Sequence, residues 1–251
     1  MGLNYPKIKT KDGSYTLSSP HFDECYHSVH DGALNETLQK HIIPASKYCS
    51  KDNVTVLDIC FGLGLNTFAT IYYMQKKRID KKVSIYAPEF DEKLLQSLKE
   101  FEYPKEFACI RDIIDEVLNT HSYKSENIEI RILKGDARVL IEPLKEIDII
   151  YQDAFSPKKN PLLWTKEYFQ QLFAISSDEV VLTTYSVATP VRLAMHESGF
   201  RVYEYKSDTA RMQTIASKKA LPLQRVDMDK KLQNNPQAKS LNDSEVSLNS
   251  L

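Results

Sequence analysis

Residues 54–77 decide the fold, and they read VTVLDICFGLGLNTFATIYYMQKK. The first six residues are an apolar, β-branched run that favours a strand, and residues 67–77 carry apolar side chains at the spacing of a helix. Gly62 and Gly64 stand between the two segments. The stretch therefore predicts a strand, a glycine loop and a helix, the unit in which α/β proteins place a ligand at the carboxyl end of a strand.

The same alternation continues along the chain. Further strand-like runs cover residues 83–87, 128–133, 147–151, 180–185, 200–205 and 212–217, and helical stretches cover residues 91–101, 105–119, 166–175 and 190–198. For the last helix, Thr189 is the predicted N-cap, Pro190 the first residue and Gly199 the residue beyond its end. Strands that alternate with helices at this spacing predict a mostly parallel sheet covered by helices on both faces.

The last two strand-like runs help to distinguish between two kinds of α/β protein, methyltransferases and dinucleotide dehydrogenases. The runs at 200–205 and 212–217 are joined by a short polar segment without a helix, so we expect an antiparallel hairpin. A mostly parallel, seven-stranded sheet with such a hairpin is typical of the Rossmann-like class I methyltransferases, whereas dinucleotide dehydrogenases usually continue with further strand–helix units. Thr67 also occupies the position at which the dinucleotide fingerprint G-x-G-x-x-G needs its third glycine. The predicted fold class is therefore the α/β class I methyltransferase fold.

Composition and charge narrow the class further. The 251 residues are 42% hydrophobic and 27% charged, which suits a folded protein with a substantial core. The formal net charge of −1 excludes a strongly basic nucleic-acid binder but leaves room for a local basic patch. We expect an N-terminal extension over residues 1–50 that covers the active site, a methyltransferase domain over residues 51–220, and a polar tail over residues 221–251 that is extended or partly disordered.

Neither a membrane segment nor a metal site is indicated. No run approaches the ~18–20 apolar residues of a membrane helix, and the N-terminal MGLNYPKIKTKDGS lacks the apolar region of a secretory signal. The expected location is cytoplasmic, with no membrane partner. The four cysteines are widely separated, which favours free thiols, and the histidines within residues 21–30 are not at a recognised metal spacing, so no metal is expected.

An acidic residue ends or follows each of four predicted strands: these are Asp58, Glu89, Asp136 and Asp153. Because the carboxyl ends of parallel strands share one edge of the sheet, we expect the four carboxylates beside the glycine loop. A carboxylate after the second strand can accept both hydroxyls of a ribose, and one after the third can accept an adenine amino group. These demands match S-adenosyl-L-methionine (SAM), which has no phosphates for a basic loop to bind. For Asp136, a plain helix cap is the alternative.

Several stretches resemble a known family. LDICFGLGLN, LKGDARVLI, YQDAFSPKKNPLLWT, TTYSVATPVRLAMHESGF and ARMQTIAS are similar to the methyltransferase domain of the bifunctional tRNA 5-methylaminomethyl-2-thiouridine biosynthesis protein (MnmC). The stretches DGSYTLSSPHFDECYHSVHDGALNET and VDMDKKLQNNPQAKSL fit the stand-alone form, which lacks the FAD-dependent oxidase domain. The resemblance implies methyl transfer from SAM to the exocyclic amine of 5-aminomethyluridine, or its 2-thio form, at the tRNA wobble position. Another enzyme would then supply the aminomethyl substrate.

The resemblance and the chemistry of the reaction together suggest roles for single residues. Asp153 is the expected catalytic residue, which orients the amine by hydrogen bonds and accepts its proton. The expected contacts to SAM are Asp58, Gly62, Gly64, Asn66, Glu89, Asp136 and Asp153. The expected contacts to tRNA are Tyr26, Lys158, Lys159, Asn160, Trp164, Tyr185, Arg192 and Arg211. Trp164 either stacks on an exposed base or packs under its own loop, and each arginine either contacts the tRNA backbone or pairs with an acid.

The sequence departs from the family pattern at two positions. Cys60 stands where the family usually has glycine, and Leu162 replaces a commonly acidic residue; cysteine is small, so SAM binding is expected to survive.

Two other functions are alternatives. An aminopropyltransferase uses a similar fold and an acid after the fourth strand to bind an amine, although Lys158 and Lys159 would repel a polyamine. A non-catalytic RNA-binding module is the other alternative, which the intact set of acids disfavours.

Overall fold

Three short strands near the N-terminus form a small antiparallel sheet. In the computed structural model, which describes residues 5–207, 209 and 211–246, they are β1 (Lys7–Lys9), β2 (Tyr15–Ser19) and β3 (Glu24–Cys25). β2 lies between the other two strands. The ends of the predicted N-terminal extension and of the predicted tail, residues 1–4 and 247–251, lie outside the described residues.

The helical segment after this sheet contains a wide turn. α1 (Ala33–Thr37) runs into a π-helical turn (Leu38–Ile42), which is followed by α2 (Ile43–Tyr48). Pro44 has no backbone N–H, so the carbonyl of Lys40 loses its α-helical donor. The side-chain Nε2 of Gln213 donates to that carbonyl at 3.1 Å instead. The turn directs His41 toward the main sheet, where its ring makes an edge contact with Tyr151.

The main sheet has eight strands in the part of the chain that the structure describes. They are β4 (Asn53–Ile59), β5 (Lys82–Glu89), β6 (Ser122–Lys124), β7 (Ile128–Lys134), β8 (Ile147–Gln152), β9 (Ser176–Thr184), β10 (Arg201–Tyr205) and β11 (Gln213–Ser217). Their order is β10-β11-β9-β8-β4-β5-β7-β6, and the five strands from β9 to β7 are parallel. The antiparallel pairing of β10 with β11 confirms the predicted hairpin. The prediction of seven strands was one short, because the three residues of β6, an antiparallel edge strand on β7, are too few and too polar to give a sequence pattern.

Helices pack on both faces of the main sheet. They are α3 (Leu65–Lys77), α4 (Glu92–Ser97), α5 (Arg111–Thr120), α6 (Ala137–Leu140), α7 (Lys166–Ile175), α8 (Thr189–Glu197) and α9 (Met228–Asn234). Short 3-10 turns cover Leu98–Glu100, Lys105–Ile110, Pro161–Trp164 and Asp243–Glu245.

Two of these elements correct the predictions from sequence. α8 begins one residue early, because Ala188 is the extended N-cap and Thr189 is already helical. The segment after residue 221 is not simply extended: Asp227 caps α9, and Met228 is buried in the core. Arg138 makes a two-pronged ion pair with Asp243, which attaches the last described residues to the domain.

The strand order reverses at β4, which lies between β5 and β8. The chain extends from β4 toward β5 and β7 on one side and toward β8 and β9 on the other, so the loops at the carboxyl ends of β5 and β8 diverge. Such a reversal leaves a crevice for a ligand in open α/β sheets. All six residues of β8 are buried, so the strand that leads to Asp153 is held rigidly in the centre of the molecule.

Candidate active site

A cavity of about 610 Å³ lies at the carboxyl ends of the central strands. This volume is in the range of small-molecule sites. Its wall combines the glycine loop, the segments that follow β5, β7 and β8, and residues 21–30 of the N-terminal region. Most predicted site residues meet here; the wall includes Tyr26, Gly62, Asn66, Glu89, Asp136, Asp153, Asn160 and Tyr185.

Glu89 anchors the glycine loop. Its Oε2 accepts a hydrogen bond from the backbone N–H of Gly62 at 2.7 Å, and its Oε1 accepts one from the N–H of Asp91 at 2.8 Å. Gly62 has φ +54, and a Cβ atom there would lie 3.2 Å from the ring of Tyr26, so both the backbone conformation and the tight space favour glycine. Burial raises the pKa of Glu89. Each oxygen keeps a lone pair, so the carboxylate can accept further hydrogen bonds from a ligand.

Gly64 and Asp58 lie behind the residues that line the cavity, so their direct contact with a cofactor stays a prediction. Gly64 has φ +73, and a Cβ atom there would lie 2.5 Å from the ring of Phe61, so this glycine serves the packing of the loop. Asp58 is fully buried; it accepts a hydrogen bond from Thr67 Oγ1 at 2.7 Å and one from Asn66 Nδ2 at 3.4 Å. Burial raises the pKa of Asp58 to about 7. Both residues support the wall from behind.

Asp153 follows β8 and presents its carboxylate to the cavity. Asn66 Nδ2 donates to Oδ2 at 2.9 Å, and Nε2 of His41 lies 3.4 Å from Oδ1. Burial would raise the pKa of Asp153, but His41, His27 and the hydrogen bond from Asn66 outweigh it and lower the pKa to about 2. Asp153 is therefore ionised at neutral pH and acts as a hydrogen-bond acceptor only.

Asp136 has two tasks. It is exposed at the cavity wall, and its Oδ1 accepts a hydrogen bond from the backbone N–H of Arg138 at 2.8 Å, so it also caps α6. Capping uses one carboxylate oxygen in one bond. The remaining acceptor positions are available to a ligand.

The loop after β8 packs inward more than the sequence suggested. Trp164 is only 1% exposed, and its Nε1 donates to the carbonyl of Phe155 at 2.7 Å. The prediction that Trp164 stacks on a base is therefore wrong: it packs under the loop, the alternative that sequence reasoning left open. Tyr185 also braces the loop, since its hydroxyl donates to the carbonyl of Ala154 at 3.0 Å, and Phe155 stacks on Phe22 with the ring centroids 4.5 Å apart.

The four predicted basic contacts differ in accessibility. Lys158 is exposed, Lys159 pairs with Asp23 at 3.4 Å, and the exposed guanidinium of Arg211 pairs with Asp31 at 2.9 Å. Arg192 is 2% exposed, donates from Nε to Thr214 Oγ1 and pairs with Glu204. The predicted contact between Arg192 and the tRNA backbone is therefore wrong, because its guanidinium is committed to the interior.

Sequence reasoning missed the histidines around Asp153. His41 was not considered, although a histidine inside the apolar helical stretch LQKHII is a signal that a polar group is buried on a core face. His27 belongs to the histidines of residues 21–30, which are considered above only as metal ligands; it is buried on the cavity wall that also contains Asp153, and burial lowers its pKa. Within the described ranges, no three His, Cys, Asp or Glu side chains are placed to hold a metal ion. Among the same residues, no helix is both long and apolar enough to cross a membrane.

Comparisons with known proteins agree with this geometry. Residues 105–220 match a family model described as S-adenosyl-L-methionine-dependent methyltransferase. An uncharacterized protein of Methanocaldococcus jannaschii is 34% identical over 205 residues, which cover 80% of this chain and 55% of that protein. The tRNA 5-methylaminomethyl-2-thiouridine biosynthesis bifunctional protein MnmC of Leptospira interrogans is 27% identical over 208 residues, which cover 77% of this chain and 32% of that protein. The chain thus spans about half of the first relative and about a third of the second.

A solved structure is similar to this chain in its three-dimensional fold. The crystal structure of MnmC2 from Aquifex aeolicus matches with a TM-score of 0.84 and 29% sequence identity, over 96% of this chain and 80% of that chain. The fold, the site and these matches together define the class: the chain contains a class I SAM-dependent methyltransferase domain. Within that class it has an MnmC-type methyltransferase domain, which confirms the resemblance of its motifs.

The residues of the cavity fit SAM, the cofactor of this class. Glu89 offers a carboxylate for two hydroxyls, and Asn66 Oδ1 is a buried acceptor without a hydrogen-bond partner among the described residues. An amide oxygen in that position can accept from a ligand ammonium group. Cys60 has φ +64, the left-handed region that favours glycine, so the backbone keeps the glycine-like turn although the side chain differs.

Proposed function

We propose that this chain methylates the exocyclic amine of 5-aminomethyluridine, or of its 2-thio form, at the wobble position of tRNA. The observation that carries the proposal is the position of Asp153, an ionised carboxylate on the wall of a cofactor-sized cavity, where Asn66 and His41 are its neighbours. The named activity of the MnmC relatives supports the identity of the substrate.

The cofactor is assigned to the side of the cavity that contains the glycine loop. Glu89 would accept the two ribose hydroxyls, Asp136 the adenine amino group, and Asn66 Oδ1 the ammonium group. Gly62 lets the backbone approach closely, and its N–H keeps Glu89 in place. Bound SAM supplies an electrophilic methyl group on a sulfonium.

Asp153 is assigned to the amine. An alkylamine has a pKa near ~10, so it reaches the site mostly as an ammonium ion, which an ionised carboxylate binds well. The same attraction favours the charged form of the amine, which has no lone pair, so one proton must pass to solvent before the nitrogen attacks. As the N–CH3 bond forms, the S–CH3 bond breaks. The work of Asp153 is to hold the nitrogen by hydrogen bonds and to receive the proton on its way to solvent. Orientation of this kind supplies much of the rate enhancement in group transfer.

The nucleotide is assigned to the outer part of the cavity. Tyr26, Asn160 and Tyr185 line the cavity, and Phe155 adds an apolar ring supported by Phe22. A uracil ring needs a flat apolar surface and a few hydrogen-bonding groups, which this wall contains. Phosphates of the anticodon loop are assigned to the exposed cations Lys158, Lys159 and Arg211.

A substrate panel tests the proposal. The protein is incubated with methyl-labelled SAM and either tRNA that carries 5-aminomethyluridine, the same tRNA with unmodified uridine, or a polyamine. We expect label only on the first, as 5-methylaminomethyluridine in the nucleoside digest. Methylation of the polyamine alone would favour a small-amine enzyme, and SAM and tRNA binding without transfer to any of them would favour the non-catalytic module; either result contradicts the proposal.

A further inference from the structure

His41 is a buried histidine that touches the proposed catalytic carboxylate from behind. Its side chain is fully buried, its Nδ1 lies 2.8 Å from the hydroxyl of Thr183 on β9, and its Nε2 lies 3.4 Å from Asp153 Oδ1. In the described part of the chain, Nε2 forms no hydrogen bond, and Asp153 Oδ1 is the charged atom that it approaches. The ring therefore joins a hydroxyl on one side to a carboxylate on the other.

The chemistry of the two neighbours decides where the ring hydrogen lies. An ionised carboxylate only accepts hydrogen bonds, so a favourable contact requires a hydrogen on Nε2. The hydroxyl of Thr183 can donate to Nδ1, and a ring whose Nδ1 accepts must carry its hydrogen on Nε2. The carboxylate thus favours the hydrogen on Nε2, and the hydroxyl, which can either donate or accept, is compatible with this arrangement.

We propose that His41 is a positioning residue for Asp153: its Nε2–H, fixed by Thr183, holds Oδ1 while Asn66 holds Oδ2. With both oxygens restrained, the carboxylate presents its remaining lone pairs to the cavity in a single orientation. The amine as the group that uses this orientation rests on the proposed function, but the contact between His41 and Asp153 does not.

The fold holds His41 in place for this task. His41 lies in the π-helical turn, where the Lys40 carbonyl that lacks an α-helical donor accepts a hydrogen bond from Gln213, and single π-turns are frequent at functional sites. The 3.4 Å separation is longer than an ideal hydrogen bond, as is common for catalytic contacts before the substrate is bound. Closing it requires only a small rotation of a carboxylate.

A tautomer measurement tests the contact without any substrate. In protein labelled with 15N-histidine, the His41 signals are assigned by their loss in His41→Leu, and His196→Gln, which changes a half-buried histidine on α8, is the control. We expect the hydrogen on Nε2 in the wild type and a loss of this preference in Thr183→Val. A bare Nε2 with the hydrogen on Nδ1 would overturn the proposal.

Kinetics with the tRNA substrate test the consequence. His41→Leu should lower kcat by about 10- to 100-fold, the effect of one lost hydrogen bond to a charged group, with little change in KM for tRNA or in SAM affinity by calorimetry. His41→Gln should recover most of kcat, because its Nε2–H reaches a similar position. A folded His41→Gln as impaired as His41→Leu, or a fully active His41→Leu, would contradict the proposal.

The two proposals fail in different ways. If the wild type does not methylate the aminomethyl tRNA, the proposed function is wrong, and the tautomer measurement still decides whether His41 holds Asp153. If His41→Leu does not fold, the wild-type tautomer and the activity of His41→Gln decide.

Discussion

At the scale of single residues, the carboxylates of Asp58 and Asp153 have opposite properties although one side chain connects them. Asn66 Nδ2 lies 3.4 Å from Asp58 Oδ1 and 2.9 Å from Asp153 Oδ2. Burial raises the pKa of Asp58 to about 7, whereas at Asp153 burial is outweighed by His41, His27 and Asn66, which lower the pKa to about 2. The two carboxylates therefore differ in charge: Asp58 binds a proton far more readily than an ordinary carboxylate, and Asp153 keeps its negative charge at the cavity.

Asp58 should make stability depend on pH. Its pKa is raised from 3.8 to about 7 on folding, so between these values the folded state binds more protons than the unfolded state, and the free energy of unfolding falls as pH rises. Asp58→Asn removes this loss, so denaturant unfolding should show the variant gaining stability relative to wild type from pH 5 to pH 8. Asp178→Asn, at an exposed position of β9, should show no such trend. A pH-independent difference for Asp58→Asn would rule out the raised pKa.

At the scale of elements, β3 fastens the loop that follows β8. Glu24 on β3 accepts hydrogen bonds from the backbone N–H of Ser156, at 3.0 Å, and from its hydroxyl. Phe22 stacks on Phe155 one residue before that contact. The small N-terminal sheet therefore holds the loop that contains Asp153 against the cavity.

Removal of this contact should loosen the loop and leave the domain folded. Glu24→Ala takes away both acceptors, so we expect faster amide hydrogen exchange over residues 154–164 and a lower kcat, with only a small change in melting temperature. Asp23→Ala is the matched control, because the neighbouring Asp23–Lys159 pair is exposed and worth little. Equal exchange in wild type and Glu24→Ala would show that the loop is held by packing alone.

The helices and strands also show which parts of the fold can be predicted from the sequence and which cannot. The central strands and α7 were predicted because their patterns are local, as in the apolar run of β8. The π-turn was not predicted, because it depends on Gln213, 173 positions away from Lys40. The same holds for the site: Glu89 and Asp153 are visible as acids after strands, but the burial of Arg192 and Trp164 and the approach of His41 to Asp153 arise from long-range packing.

At the scale of the whole molecule, Lys158 and Arg192 were both predicted to bind tRNA, but they should affect different properties. Substitution of Lys158 should change tRNA affinity, and substitution of Arg192 should change stability. Lys158→Glu changes an exposed charge, so it should weaken tRNA binding, reduce the salt dependence of that binding by about one counterion or more, and leave SAM affinity unchanged. Arg192→Ala removes a buried guanidinium together with its hydrogen bond to Thr214 and its ion pair with the half-buried Glu204, so it should lower the free energy of unfolding by ~3 kcal/mol. Filter binding across salt concentrations and denaturant unfolding measure the two effects. Unchanged tRNA affinity in Lys158→Glu would place the RNA surface elsewhere.

The most direct test of the central claim is a single-turnover methyl-transfer rate for wild type and Asp153→Asn on tRNA that carries 5-aminomethyluridine. Asparagine keeps the size of the side chain and one acceptor oxygen, so the fold and most of the SAM affinity should persist. Without the carboxylate, the amine loses its anchor and its proton acceptor, and the rate of 5-methylaminomethyluridine formation, followed by mass spectrometry of the nucleosides, should fall by ~10² to 10⁴. An Asp153→Asn protein that forms this nucleoside at the wild-type rate would contradict the assignment of Asp153.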